Sequence, residues 1–304
     1  MGKEKFDFSV INNTTYDGTE LESWITKAFT DNVTVGSLPA SNVVDGIQLR
    51  EKVGKLAGSG LIQTGANCSF NDQGDVILSE GYLEPKELFI NLELCYDKLR
   101  PIYNSLRNGG SLNDAELSQQ FTAAMTEMMV SEYNKNWENV LWNGVSGGTG
   151  VIGLFEGFDT QITLENTGAV LDASNIIAAL NATLQMLPND VLAQDNLTIY
   201  MNQRTLQIYF DALFAMGIMT PQQATAANYK GYPIVTVSKI KDNKFYFVQT
   251  SNLYVGIGAM SDFESLQILD MKKTTGDNAV RLILQARGDA LVGWADEAVK
   301  YTGS

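Results

Sequence analysis

Residues 61–83 carry the pattern of a long β-hairpin that nothing in the neighbouring sequence covers. The polar turn Asn71–Gly74 separates two apolar limbs, which consist of Leu61, Ile62 and Phe70 on one side and Val76, Ile77, Leu78, Tyr82 and Leu83 on the other. A two-stranded ribbon is marginal in water because it cannot bury both of its own faces. The hairpin is therefore predicted to need a partner surface.

The first part of the chain is predicted to be an extended arm. Residues 1–45 contain the polar run Asn12–Thr15, then one short amphipathic helix and the alternating Val33 and Val35. The apolar stripe of that helix includes Trp24 and Ile25. Because such a short helix cannot form a domain, this stripe is also expected to dock on another surface.

The rest of the chain predicts a mixed helix and sheet protein. A strand at Leu88–Leu94 precedes a helical pattern from about Asn113 to Leu141, roughly 40 Å long. Strands and helices then alternate over 174–257, with a strand at Leu197–Met201 and a helix that Asn202 caps and Gly217 ends, which is typical of an α/β layer domain. The segment Leu266–Met271 is followed by a turn at Thr274–Asn278 and then by apolar residues at every second position from Val280 to Ala286, which predicts an antiparallel hairpin lying on the long helix.

The composition excludes several classes of enzyme and of nucleic-acid-binding protein. The 304 residues include no histidine, so a Ser-His or Cys-His pair and a His-ligated metal are excluded. The 21 basic and 35 acidic residues give a net charge of -14, which opposes a basic surface that grips phosphates. Cys68 and Cys95 are too few for a structural zinc site, and both are interpreted as small buried side chains in a reducing compartment.

Three sequence patterns resemble binding or catalytic motifs, each only weakly. Gly148–Gly153 matches the glycine spacing of a dinucleotide-binding loop, and Asp172 follows near the position of a ribose-binding acid, but a helix instead of a strand precedes the glycines. Asn71–Asp75 resembles a calcium loop without its closing Glu. Asp296 and Glu297 are interpreted as solvated surface. No catalytic residue, cofactor or metal is predicted, and an NAD-binding enzyme remains an alternative.

Four short segments carry a further signal, namely the glycine-rich turn Asn143–Leu154, the strand-to-helix junction Tyr200–Thr205, the strand Gly231–Val235 and the strand Asn252–Gly256. These segments and the order of the parts resemble the major capsid proteins of tailed bacteriophages, which have the Hong Kong 97-type fold. Together the resemblance covers roughly residues 40–300.

The resemblance implies an α+β capsid fold with named parts. Residues 1–45 correspond to the N-terminal arm and 46–86 to the E-loop region, which contains the long hairpin. The P-domain with its long spine helix is expected at 87–160, the α/β A-domain at 161–257, and the terminal P-domain hairpin with the chain's return at 258–304.

The same resemblance implies a structural protein of the phage or prophage head without enzymatic activity. It is expected to assemble with itself into hexamers and pentamers of an icosahedral shell that encloses double-stranded DNA without specific binding. A separate scaffolding protein, a portal and decoration proteins are further expected partners. The expected location is the virion, after assembly in the host cytoplasm and without membrane contact. An encapsulin-like compartment, which has the same fold and a protein cargo, is the alternative shell.

The contacts between subunits are expected on the two extensions, since these expose apolar faces. No Lys–Asn crosslinking pair is assigned. The predicted contact residues are Trp24 and Ile25 in the arm, with Leu61, Ile62, Phe70, Asn71, Asp72, Asp75, Val76, Leu78 and Tyr82 in the hairpin.

Overall fold

The computed structural model describes residues 14–16, 32–59, 75–95, 119–194, 196–218, 227–258, 265–271 and 275–304. Within these ranges the α-helices are α1 (Val33–Gly36), α2 (Gln119–Asn143), α3 (Phe158–Gln161), α4 (Ile176–Leu184), α5 (Asn189–Leu192) and α6 (Gln203–Ala215). The strands are β1 (Thr14–Tyr16), β2 (Val43–Ile47), β3 (Glu51–Ser59), β4 (Asp75–Leu83), β5 (Lys86–Cys95), β6 (Leu164–Gly168), β7 (Leu197–Met201), β8 (Asn228–Tyr229), β9 (Tyr232–Thr236), β10 (Lys244–Gln249), β11 (Leu253–Gly258), β12 (Ser265–Asp270), β13 (Ala279–Val292) and β14 (Val299–Gly303).

The chain divides into two compact units. The described residues of the first unit come from Met1–Thr30, Glu87–Lys135 and Met260–Arg287. The second unit comprises Asp31–Lys86, Asn136–Ala259 and Gly288–Ser304. Helix α2 and strand β13 each contribute residues to both units, because the unit boundaries fall within them.

The first unit is built on the antiparallel pair β12–β13, with β1 on β12 and β5 on β13. Along β13, Val280 and Leu282 are buried while Arg281 is exposed. This confirms the predicted period-two strand with one polar face. The exposed Arg281 Nε donates to Glu93 Oε2 on β5 at 2.6 Å.

The second unit contains a six-stranded sheet of order β6-β14-β10-β7-β9-β8. Strand β7 is buried along its whole length because both faces of the sheet are covered. On one face, Ile199 and Phe247 lie in an apolar cluster with Leu180 of α4 and Leu206 of α6. Successive strand residues point to opposite faces, so Tyr200 and Tyr246 point to the other side.

On that other face, Trp142 from the last turn of α2 is the centre of an aromatic cluster. Its ring centroid lies 5.2 Å from that of Tyr200, 4.8 Å from Tyr246 and 5.3 Å from Phe158. Its indole Nε1 donates to Thr34 Oγ1 at 2.8 Å. The end of α2 is thereby fixed both to the sheet and to α1, which lies within the predicted arm. Burial raises the pKa of Tyr200 to about 12.

Several local predictions for this unit are confirmed. Strand β7 has the predicted bounds, and Asn202 caps α6 because its Oδ1 accepts from Thr205 N at 2.7 Å. Gly217, which has a φ of +68°, follows the end of that helix as predicted.

The predicted extended conformation at Val33 and Val35 is wrong. These residues form the single helical turn α1, and Asn32 Oδ1 accepts from Thr34 N at 2.9 Å. The side-chain cap at Asn32 satisfies a backbone donor at the start of this turn, which a two-residue alternation does not predict.

A second group of strands in the second unit brings together parts of the chain that are distant in sequence. Strand β2 runs parallel to β11, with Val43 opposite Val255, and β11 runs antiparallel to the last part of β13. Gly288 on β13 permits a close approach, since a Cβ there would overlap with the Trp137 ring of α2. Trp137 is fully buried, so the ring has little room to retreat.

We expect Gly288→Ala to destabilise the second unit by about 1–3 kcal/mol through overpacking against Trp137. The measurement is the midpoint of thermal unfolding. Gly54→Ala is the matched control, because the nearest atoms to a Cβ at Gly54 are 3.9 Å away. Equal midpoints for the two variants would contradict the close contact between Gly288 and Trp137.

Candidate functional site

Strands β3 and β4 form a two-stranded antiparallel ribbon in the second unit. The pairing runs from Glu51 opposite Leu83 to Ser59 opposite Asp75. Among the described strands, neither β3 nor β4 pairs with a further strand. Within the described residues, each of these two strands therefore has one edge that no other strand covers.

One face of the ribbon exposes large apolar side chains. Val76, Leu78 and Tyr82 alternate along β4 and so share this face, with exposed fractions of 64%, 55% and 42%. Val76 lies opposite Gly58, which offers no side chain to cover it. We name the set Val76, Leu78 and Tyr82 the apolar face.

The end of the apolar face nearest the body of the unit carries charged groups. The guanidinium of Arg50 lies 4.1 Å from the centroid of the Tyr82 ring, and Tyr82 Oη donates to Glu80 Oε2 at 2.8 Å. Lys52 and Glu80 form an ion pair. Hydrogen bonds from Lys52 and Tyr82 lower the pKa of the Glu80 carboxyl. This end of the face combines apolar surface with charges that are already paired.

The opposite face is packed where the ribbon joins the body, a segment that we name the root (residues 81–85). Leu83 is fully buried, and its Cβ would lie 3.3 Å from a Cβ added at Gly256 of β11. Gly81 lies so close to Leu291 of β13 that an added Cβ would be 2.8 Å from Cδ2. Because these two glycines have no side chain, the root packs closely against β11 and β13.

A carboxylate completes the root. Asp289 on β13 accepts from Glu84 N with Oδ2 at 2.6 Å and from Ala290 N with Oδ1 at 2.8 Å. The residue is 8% exposed. The first backbone N–H after β4 is therefore tied to β13, in addition to the packing of Leu83.

The structure brings together part of the predicted contact set. Val76, Leu78 and Tyr82 lie on one face as described, and Asp75 begins β4 opposite Ser59. The remaining predicted residues lie outside the described residues, namely Trp24, Ile25, Leu61, Ile62, Phe70, Asn71 and Asp72.

The predicted pairing of the hairpin is wrong, because β4 pairs with Glu51–Ser59. The predicted first limb at 61–70 lies outside the described residues. Gly54 and Gly58 interrupt the apolar pattern of the true strand and lower its intrinsic strand propensity. The pairing nevertheless extends over nine residues of each strand.

Sequence reasoning also missed Arg50, Lys52 and Asp289. Arg50 lies just before β3 and Lys52 lies near its start. Because the sequence of β3 predicts a strand only weakly, it does not place either residue beside Tyr82. Asp289 is separated from Glu84 by 205 positions. The sequence signal available for Asp289 was a charged residue within the apolar strand β13, since a charged residue at a core position needs partners.

The glycine-rich loop does not have the geometry of a dinucleotide site. It follows helix α2, and the N–H groups of Gly148 and Gly153 donate within the loop, to Val145 O and Gly150 O. Asp172 caps its own turn by accepting from Ser174 N at 2.8 Å. Both features of the NAD-binding alternative are thus used in local structure.

A partly buried ion cluster joins α3, β10 and β14. Asp159 Oδ2 accepts from Lys244 Nζ at 2.7 Å, and Lys300 Nζ lies 3.6 Å from Oδ1. Burial opposes ionisation, but the hydrogen bond from Lys244 and the two positive charges lower the pKa of Asp159. The carboxylate is held ionised between two cations, so it is a poor proton donor near neutral pH.

The described residues contain no group of three or more Cys, Asp or Glu side chains arranged to hold a metal ion. No helix in the described ranges is both long and apolar enough to cross a membrane. The interpretation of Cys95 as a buried side chain is wrong, because its residue is exposed at the end of β5 and its thiol is free. Cys68 lies outside the described residues.

No protein-family model and no curated protein sequence matches the chain. Solved structures do match. A chain of the satellite phage P4 procapsid, a structure that includes size determination (Sid) protein, is 11% identical with a TM-score of 0.62, over 96% of this chain and 93% of that one. The capsid asymmetric unit of cyanophage A-1(L) gives 12% identity and a TM-score of 0.60, over 89% and 92%.

A third match is the capsid of a native GTA particle, at 13% identity and a TM-score of 0.59 over 90% of both chains. The likeness extends over nearly the whole length of each chain, although few residues are shared. The predicted fold class is therefore confirmed: this chain has the Hong Kong 97-type capsid fold.

Leu83→Ala is expected to destabilise the protein by about 2–4 kcal/mol, because it removes buried side-chain atoms from the root. Leu78→Ala on the apolar face is the control and is expected to change stability by about 0.5 kcal/mol or less, since Leu78 is exposed. Thermal unfolding of the purified chain measures both. A loss for Leu78→Ala as large as that for Leu83→Ala would contradict the division into root and apolar face.

Proposed function

We propose that this chain is the structural major capsid protein of a tailed phage or prophage, a subunit that self-assembles into a closed icosahedral shell. The observation that carries the proposal is the ribbon β3–β4, which is anchored at its root and exposes Val76 and Leu78, in a chain with a capsid fold. A sister subunit is the partner that every copy of such a chain meets during assembly. Covering the apolar face with that subunit removes it from water.

The energetics favour many modest contacts over one strong contact. A stable pairwise interface buries about 1,600 Å² in total, which is more than three side chains supply, so the ribbon is one part of each contact. In a closed symmetric shell each subunit repeats the same contacts with several neighbours. Hexamers and pentamers of this chain are the proposed units of the shell.

The charge of the chain supports a container for DNA and opposes a protein that binds DNA tightly. With a net charge of -14, the subunit repels a phosphate backbone at long range. Double-stranded DNA would therefore be enclosed without specific binding. A scaffolding protein, a portal, decoration proteins and assembly in the host cytoplasm remain predictions from the resemblance.

Electron microscopy of the full chain, expressed alone and with its neighbouring genes, tests the proposal. We expect capsomers or closed particles. Nuclease-resistant DNA in native particles would support a phage shell, whereas particles filled with protein cargo would support the encapsulin-like alternative. A chain that stays monomeric in every co-expression and salt condition would contradict both.

Leu78→Glu is expected to abolish assembly and to leave the fold intact. Burying an unpaired carboxylate in an interface costs about 3 kcal/mol or more per contact, while the same carboxylate stays hydrated in the free subunit. The measurements are sedimentation velocity for assembly and thermal unfolding for the fold.

The matched control is Ser79→Glu, which adds the same charge to the adjacent exposed residue on the opposite face of the ribbon, across from Lys55. We expect this variant to assemble. If Leu78→Glu assembles as well as the natural chain, or if Ser79→Glu is the variant that fails, the apolar face is not the contact surface.

A further inference from the structure

We propose that Asp45, in strand β2, is a site of spontaneous backbone modification, at which the aspartate rearranges to isoaspartate. The chemistry needs only an aspartate or an asparagine that is followed by glycine. Within the described ranges two pairs have this order, Asp45–Gly46 and Asn143–Gly144. The structure exposes the first pair and encloses the second, which reverses the order of reactivity in an unfolded chain.

The reaction proceeds through a five-membered succinimide ring. The backbone nitrogen of the glycine bonds to the side-chain carbon Cγ of the preceding residue and loses its proton. Cγ expels water if that residue is aspartate and ammonia if it is asparagine. Water then opens the ring at one of its two carbonyls, which gives either aspartate or isoaspartate.

Two features of the residues set the intrinsic rate. Glycine favours ring closure because it has no side chain that would collide with the ring. At neutral pH the uncharged amide of asparagine is a better electrophile than the charged carboxylate of aspartate. In an unfolded chain Asn143 is therefore expected to react before Asp45.

Asp45 and Gly46 form a bulge in the parallel pair β2–β11. The register shifts between Gly256 and Gly258, so two residues of β2 stand opposite one residue of β11. Both bulge residues are exposed. Apart from the chain neighbours of Gly46, no described residue has an atom within 4 Å of a Cβ added there. The pair therefore has open space for the ring.

Asn143–Gly144 is enclosed at the end of α2. Asn143 is 6% exposed, and its Nδ2 donates to Lys239 O at 2.7 Å. The Gly144 N–H donates to Val140 O at 2.9 Å, and a Cβ added at Gly144 would lie 2.5 Å from Phe155 O. The attacking nitrogen and the leaving amide are both held by hydrogen bonds, so the helix end must open before the ring can form.

Isoaspartate at position 45 also affects the root of the ribbon. The rearrangement brings Cβ into the main chain and lengthens the bulge by one backbone atom. Ile47, two positions later, is 4% exposed. Its Cδ1 lies 3.0 Å from a Cβ added at Gly256, and the Cβ of Leu83 lies 3.3 Å from the same point. Ile47 thus packs beside Leu83, and a longer bulge is expected to displace it and to weaken the root.

Ageing of the folded full chain at physiological temperature and neutral pH tests the proposal. Peptide mapping with electron-transfer dissociation distinguishes isoaspartate from aspartate by their backbone fragments, and the mass increase of deamidation reports reaction at Asn143. We expect the modified fraction at Asp45 to exceed that at Asn143 by about tenfold or more, because Asn143 reacts only after the helix end opens. In guanidinium chloride the same chain is expected to react faster at Asn143.

Asp45→Glu is the test variant, since its longer side chain would have to close a six-membered ring while the charge is kept. Asp296→Glu is the matched control, because Asp296 is exposed and is followed by Glu297 instead of glycine. During ageing, the natural chain and Asp296→Glu are expected to develop a lower-melting fraction that grows with the isoaspartate content. Asp45→Glu should keep its initial midpoint of thermal unfolding.

The proposal is overturned if the folded natural chain forms no isoaspartate at Asp45, or if Asn143 is modified faster than Asp45 in that chain. An Asp45→Glu chain that loses stability as fast as the natural chain would contradict the effect on the root. Should Asp45→Glu fail to fold, the peptide map of the natural chain still decides the question. All samples are unassembled chain selected by sedimentation, so the result is independent of whether the chain forms a shell.

Discussion

A two-stranded ribbon buries side chains on one face at most, and in this chain the burial is concentrated at the root. Leu83 is fully enclosed and Gly81 lies against Leu291, whereas Val76 and Leu78 further along the same strand are exposed. Packing within the chain therefore fixes the ribbon at its root and leaves Val76 and Leu78 exposed. The proposed function follows from this imbalance, because the uncovered part gains stability from a second molecule.

The body of the second unit supplies the rigid base that this arrangement requires. Its sheet is covered on both faces, by α4 and α6 on one side and by the aromatic cluster around Trp142 on the other. The Trp142 indole also donates to Thr34, so the helical turn α1 is held at the end of α2. Under the proposed function, an anchored base with an uncovered extension would allow one copy of the chain to contact others while its own fold stays unchanged.

Much of the fold was predictable from the sequence because local patterns agree with the tertiary structure. Strand β7, the cap at Asn202 and the glycine after α6 follow from residues within a few positions of one another. The pairing partner of β4 was not predictable in this way. The glycines of β3 interrupt the apolar alternation of that strand, and the register of the β3–β4 pair depends on the packing of the root. The contact of Asp289 with Glu84 joins residues 205 positions apart, and no local pattern carries that information. The exposed residues of β4 were predictable because apolar side chains on a ribbon without a second layer have few places to be buried.

Cryo-electron microscopy of the particles that the full chain is proposed to form tests the central claim most directly, because it locates each ribbon relative to its neighbours. The account predicts that Val76 and Leu78 lie within about 4.5 Å of apolar atoms of another copy of the chain, which is van der Waals contact. Particles in which both side chains face solvent would contradict it.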